Sequence, residues 1–175
     1  MLASGFAALA DQAATRERTA GILVKALSYD NNIVARAGPE MVVAVVYPAT
    51  ASDEAEAWRQ AFARLASLKF LSLPFRAVKL ALTTTDRLRE SVVKEGIDAL
   101  FVLDASKDDL AAIQKVAREK KVLTLASRQE QVSNGLSLGV FTIDGKSTLL
   151  LNLTNSREEG AVFDNAIFTL AKVIK

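Results

Sequence analysis

Residues 137–175 read SLGVFTIDGKSTLLLNLTNSREEGAVFDNAIFTLAKVIK, and two apolar runs in this stretch meet at Asp144-Gly145. An aspartyl-glycine pair predicts a two-residue type I′ turn, because both central positions of that turn require a positive φ. Counting outward from the turn gives the facing pairs Val140 with Leu149, Leu138 with Leu151 and Thr142 with Ser147. The stretch therefore predicts an antiparallel hairpin with its four large aliphatic partners on one face.

The opposite face of this hairpin is not a plain solvent face, since it carries Phe141, Ile143 and Leu150. A helical stripe follows in the sequence and consists of Phe163, Ala166, Ile167, Leu170 and Ile174. We predict that this terminal helix runs to the last residue and covers the second face of the hairpin. A subunit interface that uses part of the same surface is the alternative.

Upstream of the hairpin, apolar runs rich in β-branched residues alternate with helical patterns. The predicted strands are residues 41–47, 75–82, 98–103 and 122–126. Helices are predicted over residues 12–36, from Ser52 or Asp53, from Thr85 or Asp86 and from Ser106, and residues 127–135 are predicted as a polar loop. This alternation predicts βαβ units. The fold class is therefore α/β, a three-layer α/β/α sandwich whose mostly parallel sheet is completed by a C-terminal antiparallel hairpin and helix, in one domain over residues 1–175.

The composition excludes several classes of protein. The 175 residues are 50% hydrophobic and 24% charged with a formal net charge of +2, so neither disorder nor a nucleic-acid-binding surface is predicted. The chain contains no His and no Cys, which removes thiol nucleophiles, disulfides, imidazole bases and the usual zinc sites. No apolar run reaches the roughly 18 residues of a membrane-spanning helix. We therefore expect no catalytic residue, no metal and no cofactor.

The N-terminal residues allow two interpretations. Ala8-Leu9-Ala10 has the small-x-small form of a signal-peptidase site and follows apolar residues, but no basic segment precedes it. The stretch is either the trimmed remainder of a secretory signal or the start of the first helix.

Motifs for phosphate chemistry do not occur after any predicted strand. The turn YPATASDE (47–54) holds no glycine, and Gly145-Lys146-Ser147 lies in the hairpin turn without the glycine spacing of a P-loop. A response-regulator receiver needs acidic residues at the end of its first strand, and this chain has Tyr47-Pro48 there, which excludes that class of protein. The acidic pairs Asp53/Glu54, Asp108/Asp109 and Glu158/Glu159 are all predicted at helix starts, where carboxylates suit the dipole.

A polar rim is predicted at the carboxyl ends of the parallel strands, where open α/β sheets bind their ligands. Its candidate ligand-binding residues are Tyr47, Thr83, Thr84, Asp104, Ser106, Ser127 and Arg128. Helix capping is the alternative role for hydroxyls and acids that follow strands.

The C-terminal pattern resembles that of the YfiR-like family of small bacterial periplasmic proteins. The resemblance is carried by the strand VLTLA and its following serine (122–127), by a polar loop with a glycine, and by a hairpin whose second strand ends in Asn152-Leu153. A turn rich in Ser and Glu then leads into FTLAKVIK (168–175), and Lys25-Ala26-Leu27 resembles part of the family's opening helix. The chain departs from the family where Arg36-Ala37-Gly38-Pro39 replaces a Trp-Pro pair, and it lacks the cysteines of several relatives.

The resemblance implies a non-enzymatic regulator. YfiR-like proteins act in the periplasm as dimers and hold the periplasmic segment of a membrane diguanylate cyclase inactive, which lowers cyclic-di-GMP and restrains biofilm formation. For this chain the resemblance implies a homodimer that is not itself membrane-spanning and has a membrane-bound diguanylate cyclase or sensor protein as its partner.

Two other functions stay open. TTTDRLRESVVKEGIDALFVLDAS (83–106) has the strand-helix-strand order of one lobe of a periplasmic binding protein, which predicts a small-molecule binding module. An enzyme would have to use carboxylates, hydroxyls and basic side chains alone, and Asp104 and Arg128 are its candidate residues.

Overall fold

The computed structural model describes residues 3–68 and 73–174 of the chain. Its α-helices are α1 (Ala3–Leu27), α2 (Ile33–Ala37), α3 (Ser52–Ala63), α4 (Thr85–Lys94), α5 (Lys107–Lys120), α6 (Gln129–Ser133), α7 (Leu153–Glu158) and α8 (Ile167–Leu170). Its strands are β1 (Met41–Tyr47), β2 (Phe75–Ala81), β3 (Ala99–Val102), β4 (Leu123–Ala126), β5 (Leu138–Ile143), β6 (Lys146–Asn152) and β7 (Ala171–Ile174).

The strands form one sheet in the order β2-β1-β3-β4-β5-β6-β7. The β5–β6 pair is antiparallel, and the other neighbouring pairs are parallel. Helices α1, α2, α3 and α8 pack on one face, and α4, α5 and α6 pack on the other. The predicted α/β/α sandwich with a mostly parallel sheet is confirmed.

Strand β1 lies inside the sheet and is buried on both faces. Val43 and Val45 join the hydrophobic core under α1 and α3, whereas Val42 and Val46 join the core under α4 and α5. This double burial explains why the strand is a continuous β-branched run rather than an alternating one.

The predicted hairpin is confirmed in its turn and in its register. Asp144 has φ 50° and Gly145 has φ 73°, so both central residues of the turn are left-handed. Leu138 faces Leu151 and Val140 faces Leu149 across the β5–β6 ladder. All four side chains are buried in the core under α1.

The predicted course of the C-terminal helix is wrong. Helix α8 ends at Leu170, and Ala171–Ile174 form β7, while Lys175 lies outside the described residues. β7 pairs in parallel with β6, with Leu149 beside Ala171 and Leu151 beside Val173. The pairing satisfies backbone groups on the outer edge of β6, and Val173-Ile174 are β-branched residues that suit a strand.

The prediction was also wrong about the face that α8 covers. Ile167 is fully buried on the face of Val140 and Leu149, not on that of Phe141. The face of Phe141 is covered instead by Val132 of α6, a short helix within the predicted polar loop, and Ile174 at the end of β7 packs against the same core.

The predicted first helix is two helices, because the chain breaks at Asp30. The Asp30 carboxylate accepts hydrogen bonds from the backbone N–H groups of Asn32 at 3.1 Å and of Val162 at 2.9 Å. Such side-chain-to-backbone bonds compete with helix continuation. The Ala8-Leu9-Ala10 stretch belongs to α1.

Candidate functional site

The polar rim lies where it was predicted, after the carboxyl ends of β1 to β4, and one pair of its residues is in direct contact. Arg128 Nη2 lies 3.1 Å from Asp104 Oδ2, and the two side chains are 53% and 63% exposed. An ion pair with this exposure contributes about 0–1 kcal/mol. It links the segments after β3 and β4 without enclosing a site.

Two of the other five rim residues, Thr84 and Ser106, cap helices. Ser106 Oγ accepts from the backbone N–H of Asp109 at 3.2 Å, and the Asp109 carboxylate accepts from the backbone N–H of Ser106 at 3.3 Å, which together form a capping box at the start of α5. Thr84 Oγ1 accepts from the Arg87 N–H at 3.4 Å at the start of α4. The Ser127 N–H donates to Gln131 Oε1 at 3.0 Å. The hydroxyls of Thr84 and Ser106 therefore have the capping role that was the alternative to ligand binding.

Two rim residues line a cavity, and Tyr47 stands apart. Thr83 and Thr84 line a cavity of about 330 Å³ together with Asp108 and Asp109. The ring of Tyr47 faces the ammonium of Lys79, 5.8 Å from the ring centroid. The rim residues therefore do not converge on one point, and their ligand-binding role stays a prediction.

A buried carboxylate that the sequence analysis assigned to a helix start is the strongest polar feature of the interior. Glu159 is fully buried and follows the last residue of α7, so the acidic pair Glu158/Glu159 lies at a helix end and that prediction was wrong. α7 begins at Leu153, directly after β6, and the local signal for this start is Asn152, whose side chain accepts a hydrogen bond from the Asn155 N–H at 3.0 Å as an N-cap.

The Glu159 carboxylate accepts hydrogen bonds from three side chains and one backbone group. Thr124 donates its N–H at 2.9 Å and its hydroxyl at 2.7 Å, Asn155 donates its amide at 2.7 Å, and the Ser137 hydroxyl also donates. Burial raises the pKa of Glu159 to about 7, although these donors act in the opposite direction. Because both oxygens of Glu159 accept hydrogen bonds and the residue is fully buried, this network holds the end of α7 and the segment before β5 on β4.

The C-terminal elements expose apolar side chains at the edge of the sheet. Phe168, Leu170 and Val173 are 39%, 55% and 37% exposed, and we call these three residues the C-terminal apolar surface. β7, which carries Val173, has β6 on one side, and no strand lies on its other side in the described part of the chain. Leu170 belongs to the sequence stripe for which burial was predicted, but it is the last residue of α8 and is exposed.

Residue groups for metal chemistry are not found within residues 3–68 and 73–174. No cluster of three or more acidic side chains there is arranged to hold a metal ion. Across the same ranges, no helix combines the length and the apolar character needed to cross a bilayer.

Comparison with known proteins identifies a family. A family model described as YfiR/HmsC-like matches residues 17–172, which is most of the chain. No curated protein matches the chain.

Solved structures with a similar fold are larger than this chain. The ABC domain in complex with L-Trp from Streptococcus pneumonia matches with a TM-score of 0.62 at 12% identity, over 91% of this chain and 60% of its own length. An open, ligand-free substrate-binding protein with adhesive properties from Clostridium difficile matches with a TM-score of 0.57 at 14% identity, over 82% and 57%.

A conserved domain protein from Vibrio cholerae matches with a TM-score of 0.52 at 15% identity, over 77% of this chain and 54% of its own. The chain thus spans little more than half of each of these structures. At these identities the likeness shows the fold.

Proposed function

The chain belongs to the YfiR/HmsC-like family, and we propose that it is a non-enzymatic periplasmic regulator that binds a membrane protein and holds it in an inactive form. The proposed partner is the periplasmic segment of a membrane diguanylate cyclase, and the regulator acts as a homodimer. A regulator of this kind silences its partner only to the extent that it binds the inactive form more tightly than the active one. Lower cyclic-di-GMP and less biofilm are the proposed outcome.

The observation that supports a binding function most directly is the C-terminal apolar surface. Phe168 and Val173 each expose more than a third of their area beside the outer edge of β7. An extended segment of a partner can add to such an edge through main-chain hydrogen bonds, while its side chains contact the neighbouring apolar groups. We place the partner contact here.

The chemistry of the chain supports a regulator in preference to an enzyme. The sequence has no His or Cys, and the buried Glu159 has its oxygens occupied by donors from Thr124, Ser137 and Asn155. The exposed Asp104–Arg128 pair is the candidate left from the sequence analysis, and replacing both residues tests it against any activity that is detected.

The partner proposal is tested by exporting the full chain to the periplasm of a bacterium in which one membrane diguanylate cyclase is the only source of cyclic-di-GMP, and measuring the cyclic-di-GMP level. The wild-type chain should lower the cyclic-di-GMP level. A chain with Phe168→Glu or Val173→Glu should no longer lower it, because the variant binds the cyclase less tightly. Losing an interface anchor costs about 2 kcal/mol or more, which is roughly a 30-fold loss of affinity.

Val93→Glu is the matched control, because Val93 is 62% exposed on α4, which packs on the opposite face of the sheet from α8. It should act like wild type. An unchanged cyclic-di-GMP level with the wild-type chain argues against the cyclase as partner, and full activity of both Glu variants argues against the C-terminal apolar surface.

A second candidate function is small-molecule binding at the rim. It is favoured by the fold shared with a substrate-binding protein, and by the cavity of about 330 Å³ beside Thr83 and Thr84. A metabolite screen by thermal shift tests it, since a ligand at a hundred times its Kd adds about 2.7 kcal/mol of stability. Thr83→Val should abolish a shift that arises at this cavity.

A further inference from the structure

A second cavity of the molecule combines an apolar floor with a cationic edge. It has a volume of about 290 Å³ and lies between α1, β6 and α8. Its apolar lining consists of Ile22, Ala26, Leu149 and Leu170. Its polar lining consists of Lys25, Tyr29 and Ser147. We call this cavity the α1–β6 groove.

The groove follows from the local periodicity of the two elements that form it. Ile22, Ala26 and Tyr29 are spaced by three or four positions and therefore lie on one face of the helical chain. Ser147 and Leu149 are two positions apart in β6 and point to the same side of the sheet. Ala26 and Leu149 are 2% and 7% exposed and form the floor, because the small side chain of Ala26 leaves space above it.

The charge at the mouth of the groove is positive and is not neutralised by the groove itself. No acidic residue lines it, and the positions three and four away from Lys25 hold Gly21, Ile22, Ser28 and Tyr29. Within the described ranges, the Lys25 ammonium has no ion pair, and the hydroxyls of Tyr29 and Ser147 have no hydrogen bond. Lys25 lies in the last turn of α1, where the helix dipole favours a positive charge. The dipole explains the lysine but not the apolar groove beside it.

We propose that the α1–β6 groove binds a small apolar molecule that carries one carboxylate. Lys25 pairs with the carboxylate, and Tyr29 and Ser147 donate hydrogen bonds to it. Ile22, Leu149 and Leu170 contact the apolar body. A volume of about 290 Å³ lies at the lower end of small-molecule pockets, which suits one ring with a short chain.

The probes that test this site are 3-phenylpropionate and its neutral isostere 3-phenylpropionamide, titrated into the full chain and followed by NMR shifts of α1 and β6. The carboxylate should bind at least tenfold tighter than the amide. Lys25→Met keeps the aliphatic stem and removes the charge, so it should abolish this difference. Lys172→Met, at an exposed lysine of β7 that does not line the groove, is the matched control and should preserve it.

Ser147→Trp provides an independent check that the probes occupy the groove. Ser147 is exposed on a strand, where an aromatic side chain is tolerated, and the indole should fill the mouth and prevent both probes from binding. Equal affinity for the two probes, absence of binding, unchanged binding by Lys25→Met or unchanged binding by a folded Ser147→Trp protein would each overturn the proposal. These measurements involve no partner protein, so their result is separate from that of the cyclase experiment.

Discussion

Thr124 donates two hydrogen bonds to one carboxylate: its backbone N–H lies 2.9 Å from Glu159 Oε2 and its hydroxyl lies 2.7 Å from Glu159 Oε1. The same hydroxyl accepts from the Ser137 N–H at 2.9 Å, so its proton is directed to the carboxylate. β4, the loop before β5 and the end of α7 are thus joined through one buried acid. Its protonation state must therefore affect the stability of the fold.

The first prediction is a fall in stability at high pH that depends on Glu159. Burial raises the pKa of Glu159 from 4.5 to about 7, so the folded protein holds the proton more tightly than the unfolded chain does. The stabilising contribution is complete below pH 4.5 and is lost as the pH rises through about 7. Urea unfolding should give a free energy lower at pH ~8 than at pH ~5 by on the order of 2–3 kcal/mol from this group.

Glu159→Gln should remove this part of the pH dependence, although its amide also faces donors and lowers stability at every pH. Glu158→Gln is the matched control, because the neighbouring Glu158 side chain is 48% exposed and pairs with Arg118 at 2.8 Å. If the free energy of unfolding of the Glu159→Gln protein depends on pH as the wild type does, the Glu159 carboxyl does not titrate between pH ~5 and pH ~8.

The local part of the fold was predictable from sequence. Asp144-Gly145 fixes the turn, and the turn fixes the register that brings Leu138 beside Leu151. Helix caps such as Ser106 were also predictable, since a cap depends on residues within one turn.

Long-range contacts were not predictable in the same way. The stripe that ends at Ile174 has helical spacing, but the free edge of β6 pairs with residues 171–174 and overrides it. The Glu159 network joins residues 22 and 35 positions apart in the sequence, and no local pattern marks such partners. The C-terminal apolar surface and the α1–β6 groove also depend on contacts between elements that lie far apart in the sequence.

The second prediction concerns Asp98, whose carboxylate accepts a hydrogen bond from the Val42 N–H at 2.8 Å at the start of β1. Burial raises the pKa of Asp98 to about 6. Asp98→Ala leaves the Val42 N–H without its acceptor and should cost about 1–3 kcal/mol. Asp98→Asn keeps an acceptor oxygen and should cost less at pH ~7, as measured by urea unfolding. Equal loss in the two variants would show that the hydrogen bond is not the stabilising contact.

The third prediction is that Gly139 tolerates no side chain. A Cβ atom there would lie 2.9 Å from Val132 Cγ2 and closer still to the ring of Phe141. Gly139→Ala should therefore destabilise the protein by about 1–3 kcal/mol through overpacking, measured by chemical denaturation. Phe141→Leu in the same chain should recover part of this loss, because it removes the ring.

Gly21→Ala is the control for that substitution. Gly21 lies inside α1, and an added Cβ would be 4.0 Å from Leu65, which is ordinary contact. The exchange should stabilise the protein by about 0.5–1 kcal/mol, since alanine favours a helix interior. Similar destabilisation by both substitutions would contradict the packing argument at Gly139.

The fourth prediction concerns Asp30, which connects the break between α1 and α2 to the C-terminal segment. Its fully buried carboxylate pairs with Arg36 and accepts the Val162 N–H, while Arg36 also donates to the Gly160 carbonyl at 2.7 Å. Asp30→Ala leaves a mostly buried guanidinium without its counter-ion and should cost about 3–5 kcal/mol. Arg36→Met in the Asp30→Ala background should recover part of that loss, because the unpaired charge is gone. A double-mutant cycle by urea unfolding measures the coupling, and strictly additive losses would show that the two residues stabilise the fold independently.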